Sequence, residues 1–302
     1  MGQRSFQEMV EEQKRGMPPV VKGDLIGKTV MVTGANSGIG YEAAKHFAAM
    51  NPTRLIIVCR SIEKAQDSIN KIEAETGYKN AEPMALELSS FRSISELQVN
   101  ALGPALHAIL LLPLISKTAN RHSVVPRIVV VSSEMIFFAN IESDAIDATN
   151  TLETLSSQEY CTQEIMKDRY TLSKILNIML VHKLAALLPN TTVPVALNPG
   201  YCLSDLRRKA SGEEAKRYKQ MEDEFAYTSE EGSRQIVFAA IGGKDEELRG
   251  AFTSYSKVCE ISDWMLSEEG KKAEDKTWTE MLELFRKLDD RVPQIIDEYL
   301  KI

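Results

Sequence analysis

The run Lys28-Thr-Val-Met-Val-Thr33, followed at once by Gly34-Ala-Asn-Ser-Gly-Ile-Gly40, decides how this chain folds. Its first half is short, apolar and β-branched, the pattern of a strand buried on both faces. Beyond Gly38, apolar residues recur at Ile39, Ala43, Ala44, Phe47 and Ala48, which puts them on one face of a helix. The glycines therefore sit where a strand turns into a helix. Gly34 permits the tight turn, Gly38 lets a pyrophosphate approach the main chain, and Gly40 lets helix and sheet pack closely. The N–H groups and positive dipole at the helix start favour phosphate. In a random loop this spacing would mean little; in this setting it predicts a dinucleotide site.

Working outward, residues 55–59 and 82–88 read as further strands, and Ser61 as the N-cap of a helix between them. Three more strands are expected at 127–131, 193–197 and, more weakly, 251–255. Helices are expected at 102–114, 170–188 and 229–241. Short apolar strands alternating with helices imply an α/β, doubly wound parallel sheet, the Rossmann fold, in a single domain. The expected organisation is a polar arm at 1–23 ending at Pro18-Pro19, a dinucleotide-binding catalytic domain at 24–258, and a helical extension at 259–302. Trp278, Met281, Leu282, Phe285 and Leu288 form a stripe that docks the extension on its own domain, a dimer contact being the alternative.

The 302 residues are 43% hydrophobic and 26% charged, with a net charge of −7, so bulk electrostatics offers no attraction to nucleic acid or anionic membranes. Cys59, Cys161, Cys202 and Cys259 lie far apart with no CxxC, which suits free thiols in a reduced, cytoplasmic compartment. The longest apolar stretch, 108–115, contains Pro113, and no transmembrane segment is expected.

Where an NAD enzyme usually carries an acidic residue for the ribose, the second strand ends in Cys59-Arg60. A guanidinium there pairs with a 2′-phosphate and offers a diol no acceptor, so NADP is expected ahead of NAD. Tyr170-Thr-Leu-Ser-Lys174 puts a phenol and an ammonium one helical turn apart, and the ammonium would lower the phenol's pKa towards neutrality. Ser133, in Val129-Val-Val-Ser-Ser133, stands at the carboxyl end of a strand, where it can polarise a carbonyl or cap the following loop. Asn198-Pro199-Gly200 ends the next strand and would fold over the nicotinamide. Asn100 could hold a water that relays protons to Lys174, or cap a helix.

TGxxxGxG, VSS, YxxxK and NPG in this order resemble the short-chain dehydrogenase/reductase family over residues 24–255. Thr33–Gly40, Cys59-Arg60, Gln98-Val-Asn-Ala-Leu-Gly103 and Leu110-Leu-Leu-Pro-Leu114 are similar to its retinol-dehydrogenase-like and WW-domain-oxidoreductase-like branch, and fungal members that tailor secondary metabolites such as terpenoids also look similar. The resemblance implies an oxidoreductase interconverting an alcohol and a carbonyl on a lipophilic small molecule, with homo-oligomers common. It implies that Ser133 orients the carbonyl, Tyr170 moves the proton, Lys174 binds the ribose and tunes Tyr170, and Asn100 completes the tetrad. Gly34, Ser37, Gly38, Ile39, Gly40 and Arg60 would hold the adenosine-phosphate half, with Glu87 beside adenine. Pro199 and Gly200 would lie along the nicotinamide, and Cys202 and Ser204 would touch its carboxamide.

One departure is large. Family members place an Asn-Asn-Ala-Gly strand between the third strand and the helix carrying Asn100; here only residues 89–99 separate Leu88 from Asn100, and no NNAG occurs. A helix, a strand and their loops do not fit in that length. The central fourth strand and its preceding helix are therefore expected to be missing. Either strand one then pairs directly with the strand ending at Ser133 or the sheet is damaged. The alternatives to an active enzyme are a catalytically impaired nucleotide-binding protein and a truncated splice or gene-model product. A second departure, the long polar stretch 134–168, reads as a substrate-side loop.

Overall fold

The computed structural model describes residues 4–88, 97–157, 159–162, 168–208 and 210–301. The expected strand–helix alternation is present. An N-terminal helix α1 (Phe6–Lys14) precedes β1 (Thr29–Thr33), α2 (Gly38–Ala49), β2 (Arg54–Cys59), α3 (Ile62–Thr76) and β3 (Ala81–Ala85). A π-turn at Gln98–Leu102 runs into α4 (Gly103–His122), then β4 (Arg127–Val131), α5 (Arg169–Leu187) and β5 (Val193–Leu197). The chain continues through α6 (Gly212–Phe225), α7 (Ser229–Ile241), the hairpin β6 (Phe252–Ser254) and β7 (Lys257–Cys259), and closes with α8 (Glu268–Leu288) and α9 (Val292–Tyr299).

The strands do not form one sheet. β1, β2 and β3 pair in parallel in one sheet; β4, β5, β6 and β7 pair in another, with only the β6–β7 contact antiparallel. The architecture is the expected α/β one, and the absent strand leaves its mark at the centre. Gly34 donates to the Val58 carbonyl, so the even-numbered residues of β1 face β2. Ser132 donates to the Leu197 carbonyl, so the even-numbered residues of β4 face β5. The odd-numbered residues of both strands therefore present their main-chain groups to the opposite side, where a fourth strand would lie. Direct pairing of β1 with β4 does not occur among the described residues. Burial agrees: β2 is buried from Leu55 to Cys59 and β5 throughout, while β1 and β4 bury fully only Val32 and Val130. Residues 89–96, at the heart of the shortened segment, lie outside the described residues.

Helices hold the two sheets in register instead. On one face α7 packs against α2 and also against β4 and β5. Its Val237 is fully buried in the cluster built by Ala43, Ala44 and Phe47, and Glu230 accepts from His46 at 2.9 Å. On the other face α4, α5, α8 and α9 form the larger core, with α8 against α5 and α9 against α4. Trp278, Met281, Leu282 and Phe285 dock this extension as expected; Leu288, counted in the same stripe, is exposed because the helix ends there.

Two sequence expectations need correction. The strand expected at 82–88 ends at Ala85. The helix expected to stop near Pro113 runs on to His122. As a result one helix among the described residues, Gln98–His122, is long and apolar enough to cross a membrane by length and composition. In this structure Ala105, Ile109 and Leu112 on that helix are core residues.

Gap-facing amides should exchange faster than sheet-facing ones, because an unpaired sheet edge opens to solvent without breaking a ladder. Met31 and Val129 N–H are expected to exchange with deuterium at least about tenfold faster than Val32 and Val130 N–H. Equal protection along β1 and β4, read residue by residue by NMR, would show that the gap is filled.

Candidate active site

The glycine turn is built as its spacing requires. Gly34 and Gly38 have φ of +82° and +59°, a region that L side chains avoid, and no heavy atom lies within 4 Å of where their Cβ atoms would stand. A Cβ on Gly40 would lie 2.4 Å from the Gly34 carbonyl oxygen, so helix α2 can start this close to the turn only with glycine there. Ser37 occupies the N-cap in an extended conformation with no side-chain cap bond, and Ile39 follows in the first turn. An open glycine cradle at the start of a twelve-residue helix fits the phosphates of a dinucleotide. Arg60 stands exposed just past β2, with no acceptor among the described residues, beside Ser61, which caps α3 by accepting from Lys64 N–H. Glu87 is exposed just past β3.

The reacting half is organised by helix α5 against the open edge of β4. Lys174 Nζ lies 5.4 Å from the centroid of the Tyr170 ring, as one helical turn allows. The same ammonium donates to the Val131 carbonyl at 3.0 Å, and Asn177 Nδ2 donates to that oxygen at 3.3 Å. Val131 is an odd-numbered residue of β4, so its carbonyl points at the gap. Two α5 side chains thus satisfy an acceptor that the missing strand leaves open. Ser132 Oγ in turn donates to the Lys174 carbonyl at 2.9 Å, bolting the end of β4 to the turn that carries Tyr170 and Lys174. Ser133 follows directly. Its hydroxyl oxygen accepts Met135 N–H at 3.2 Å, the capping role foreseen as the alternative, and the O–H proton is left to donate.

Asn100 lies against the same turn. Its Nδ2 donates to Ser173 Oγ at 3.2 Å, and Ser173 Oγ donates to the Tyr170 carbonyl at 2.6 Å. Asn100 thus braces the turn between Tyr170 and Lys174.

The loop after β5 lies against both halves. Pro199 leads into Gly200, whose φ is +80°. Cys202 shares a small cluster with Met17, Tyr227 and Ile39, which joins this loop to the glycine turn. Its Sγ faces the Pro199 and Gly200 carbonyls at 3.4 and 3.5 Å, and burial pushes the thiol up to about 12, so it is neutral. Ser204 accepts Leu206 N–H at 3.3 Å, capping the following turn.

Three side chains in this neighbourhood escaped the sequence reading as site residues. Glu134, next to Ser133, is only 3% exposed; burial raises its carboxyl's pKa, opposed by Ser254 and Arg4. Ser254 Oγ donates to Glu134 Oε1 at 2.7 Å, Asn198 Oδ1 accepts Glu134 N–H at 3.2 Å, and Asn198 Nδ2 donates to Ser254 Oγ at 3.1 Å. This triangle ties the ends of β4, β5 and β6 together. Asn198 was visible in the NPG motif, but nothing local marks Glu134 or Ser254.

Comparison with known proteins agrees with this geometry. The family model described as short chain dehydrogenase matches residues 28–112. The short-chain dehydrogenase anuD of Penicillium roqueforti is 29% identical over 88% of this chain and 80% of its own length. The short-chain dehydrogenase/reductase phmF of Phaeosphaeria nodorum is 27% identical over 90% of each chain. Among solved structures, a short chain dehydrogenase from Escherichia coli complexed with NADPH superposes with a TM-score of 0.55 at 18% identity, covering 78% of this chain and 99% of its own. Salutaridine reductase from Papaver somniferum gives 0.52 at 17% identity, covering 75% and 99%. At these identities the two structures speak for the fold.

Gly40→Ala tests the close approach of helix and turn. The backbone contact cannot swing away, so the substitution should cost about 1–3 kcal/mol, as overpacking does, in urea denaturation. An unchanged midpoint would mean that the turn relaxes freely.

Proposed function

We propose that the chain is an oxidoreductase of the short-chain dehydrogenase/reductase family, which its match to that family's model over residues 28–112 and its 29% identity to a fungal short-chain dehydrogenase support, and that it interconverts an alcohol and a ketone or aldehyde on a lipophilic small molecule with NADP(H). The observation that carries this reading is the pairing of Tyr170 and Lys174, one turn apart on α5, bolted through Ser132 to the end of β4 beside Ser133. Ser133 keeps an O–H proton to donate to a carbonyl oxygen. Tyr170 gives the proton to the same oxygen in reduction and takes it in oxidation, helped by the neighbouring ammonium. When bound, a nicotinamide supplies or accepts the hydride. Gly34, Ser37, Gly38, Ile39 and Gly40 would hold the phosphates, Arg60 the 2′-phosphate and Glu87 the adenine side. Pro199, Gly200, Cys202 and Ser204 would face the nicotinamide, though Cys202 and Ser204 also serve their own loop.

Support for NADP(H) comes from Arg60, and from the Escherichia coli neighbour, which was solved with NADPH. Support for a lipophilic substrate comes from Met135 and Phe138 after β4 and from Leu203 and Leu206 after β5, all exposed apolar side chains following strand ends. A role in secondary metabolism is taken from the sequence resemblance to fungal tailoring members, and the relatives anuD and phmF are themselves fungal.

One observation favours a second reading. Lys174 is held on the Val131 carbonyl, which competes with a ribose for its protons. On this reading the chain binds cofactor and turns over little or nothing.

Two variants test the assignment. Tyr170→Phe should abolish NADPH oxidation with a panel of lipophilic ketones and aldehydes while leaving NADPH binding within about twofold; a variant as fast as the parent would remove Tyr170 from the chemistry. A parent chain that binds NADPH yet reduces none of the panel supports the second reading. Arg60→Ala should weaken NADPH by about tenfold or more, the loss of a charge-assisted bond worth about 1.5–3 kcal/mol, and leave NADH unchanged. Equal losses would refute the 2′-phosphate contact.

A further inference from the structure

We infer that the N-terminal arm is a clip on the loop after β5, and that Gln13 is the positioning residue that sets this loop for the nicotinamide half of the cofactor. The inference rests on the cofactor reading above. α1 is a polar helix whose capping box, Ser5 with Glu8, is complete within itself. Near its end, however, Gln13 is only 5% exposed. A buried amide left unpaired costs about 1–3 kcal/mol, so its partners show what holds it there.

The partners are mainly main-chain groups of one loop. Gln13 Nε2 donates to the Tyr201 carbonyl at 2.7 Å and to the Phe225 carbonyl at 2.9 Å. Gln13 Oε1 accepts Tyr201 N–H at 2.9 Å. One side chain thus takes both polar groups of the Tyr201 backbone, as a neighbouring strand would. Tyr227 Oη donates to the Gln13 carbonyl at 2.7 Å, closing the arm over the loop from the other side. The fit leaves no room at position 200. A Cβ there would stand 3.0 Å from Gln13 Oε1 and 2.8 Å from the Tyr227 ring, at a φ of +80°. The glycine of Asn198-Pro199-Gly200 is therefore required by the arm as well as by the turn.

A second attachment lies one residue past Ser133. Arg4 Nη1 pairs with Glu134 Oε1 at 2.7 Å, Arg4 also pairs with Glu12, and Glu12 pairs with Lys257 at 2.6 Å. Met17 joins Cys202, Tyr227 and Ile39 in one apolar cluster. The arm therefore touches the segments that follow β4, β5 and β6, all at the carboxyl ends of strands where an α/β sheet binds its ligand. A tail that only added stability could dock by apolar contact anywhere on the domain. Hydrogen bonds to the backbone of residue 201 instead fix the peptide planes of the loop, which is what recognition of a planar carboxamide by that loop needs.

The test separates the two ends of the cofactor in the full chain. Gln13→Met keeps length and volume but removes all three side-chain bonds. NADPH and adenosine 2′,5′-bisphosphate, which lacks the nicotinamide half, are titrated calorimetrically into parent and variant. Deuterium uptake of a peptide covering residues 199–203 is followed without ligand. The expected result is a loss of about tenfold or more in NADPH affinity, a bisphosphate affinity within about twofold of the parent, and exchange in the loop faster by about tenfold. The unchanged bisphosphate affinity serves as the check that the variant is folded. The milder pair Arg4→Met and Arg4→Lys repeats the measurement, with Lys restoring NADPH binding. Equal losses for both ligands, or no loss for NADPH, overturn the clip. Parent protein that binds neither ligand overturns the cofactor reading first, and the clip with it.

Discussion

A single carbonyl oxygen, that of Val131, concentrates the constraint under which this protein folds. In a doubly wound sheet the central strands are paired on both sides, and a main-chain acceptor left open in the interior costs about 1–3 kcal/mol. Among the described residues β4 has a partner on one side only, and Val131 turns its oxygen to the other. Helix α5 answers with Lys174 Nζ and Asn177 Nδ2 on that oxygen, and Ser132 returns a hydrogen bond to the Lys174 carbonyl. The lysine expected to serve a cofactor is therefore also a structural stand-in for a strand.

That double duty explains how the two sheets stay in one domain without pairing. Three connections cross between them, and each is carried by side chains or helices rather than by a β-ladder. α7 presses on α2 of one half and on β4 and β5 of the other. Ile39 of the glycine turn meets Cys202 of the loop after β5. The N-terminal arm reaches the ends of β4, β5 and β6 with Arg4, Gln13 and Met17. Side-chain links of this kind tolerate adjustment, where a ladder with period two allows none. The glycine turn and the Tyr170 helix can thus be kept beside one another although no strand joins the two sheets among the described residues.

Much of this was legible in the chain. β4 and β5 begin and end where their β-branched runs do, at 127–131 and 193–197, because a buried parallel strand is a continuous apolar run with sharp polar limits. The glycine turn was legible because each glycine answers a separate steric demand. The absent strand could be read from chain length alone. Less was legible where the partner is remote. The helix read over 102–114 continues to His122, its buried residues packed into the main core. Asn100 reads as a relay or capping residue, and its amide bond to Ser173 could not be read from the chain. Gln13 looks like one more polar residue on a polar helix, since the backbone it binds is brought to it only by the folded loop after β5. Glu134 likewise gains its meaning from Arg4 and Ser254, far away in sequence.

The chemistry then turns on a competition that the missing strand creates. An ammonium has three protons, and Lys174 directs one of them to Val131. Asn177 already reaches the same oxygen, so the carbonyl would keep a partner if the lysine turned away. Two donors on one acceptor make the lysine's bond replaceable in a way that a sole bond would not be. On the proposed cofactor reading, Asn177 thereby leaves Lys174 able to exchange a structural partner for a ribose hydroxyl at small cost in fold stability. On the proposed reading the helix presents the tyrosine whether or not the lysine sits on Val131, and the amide of Asn177, one turn beyond the lysine, keeps the sheet edge satisfied while the lysine turns.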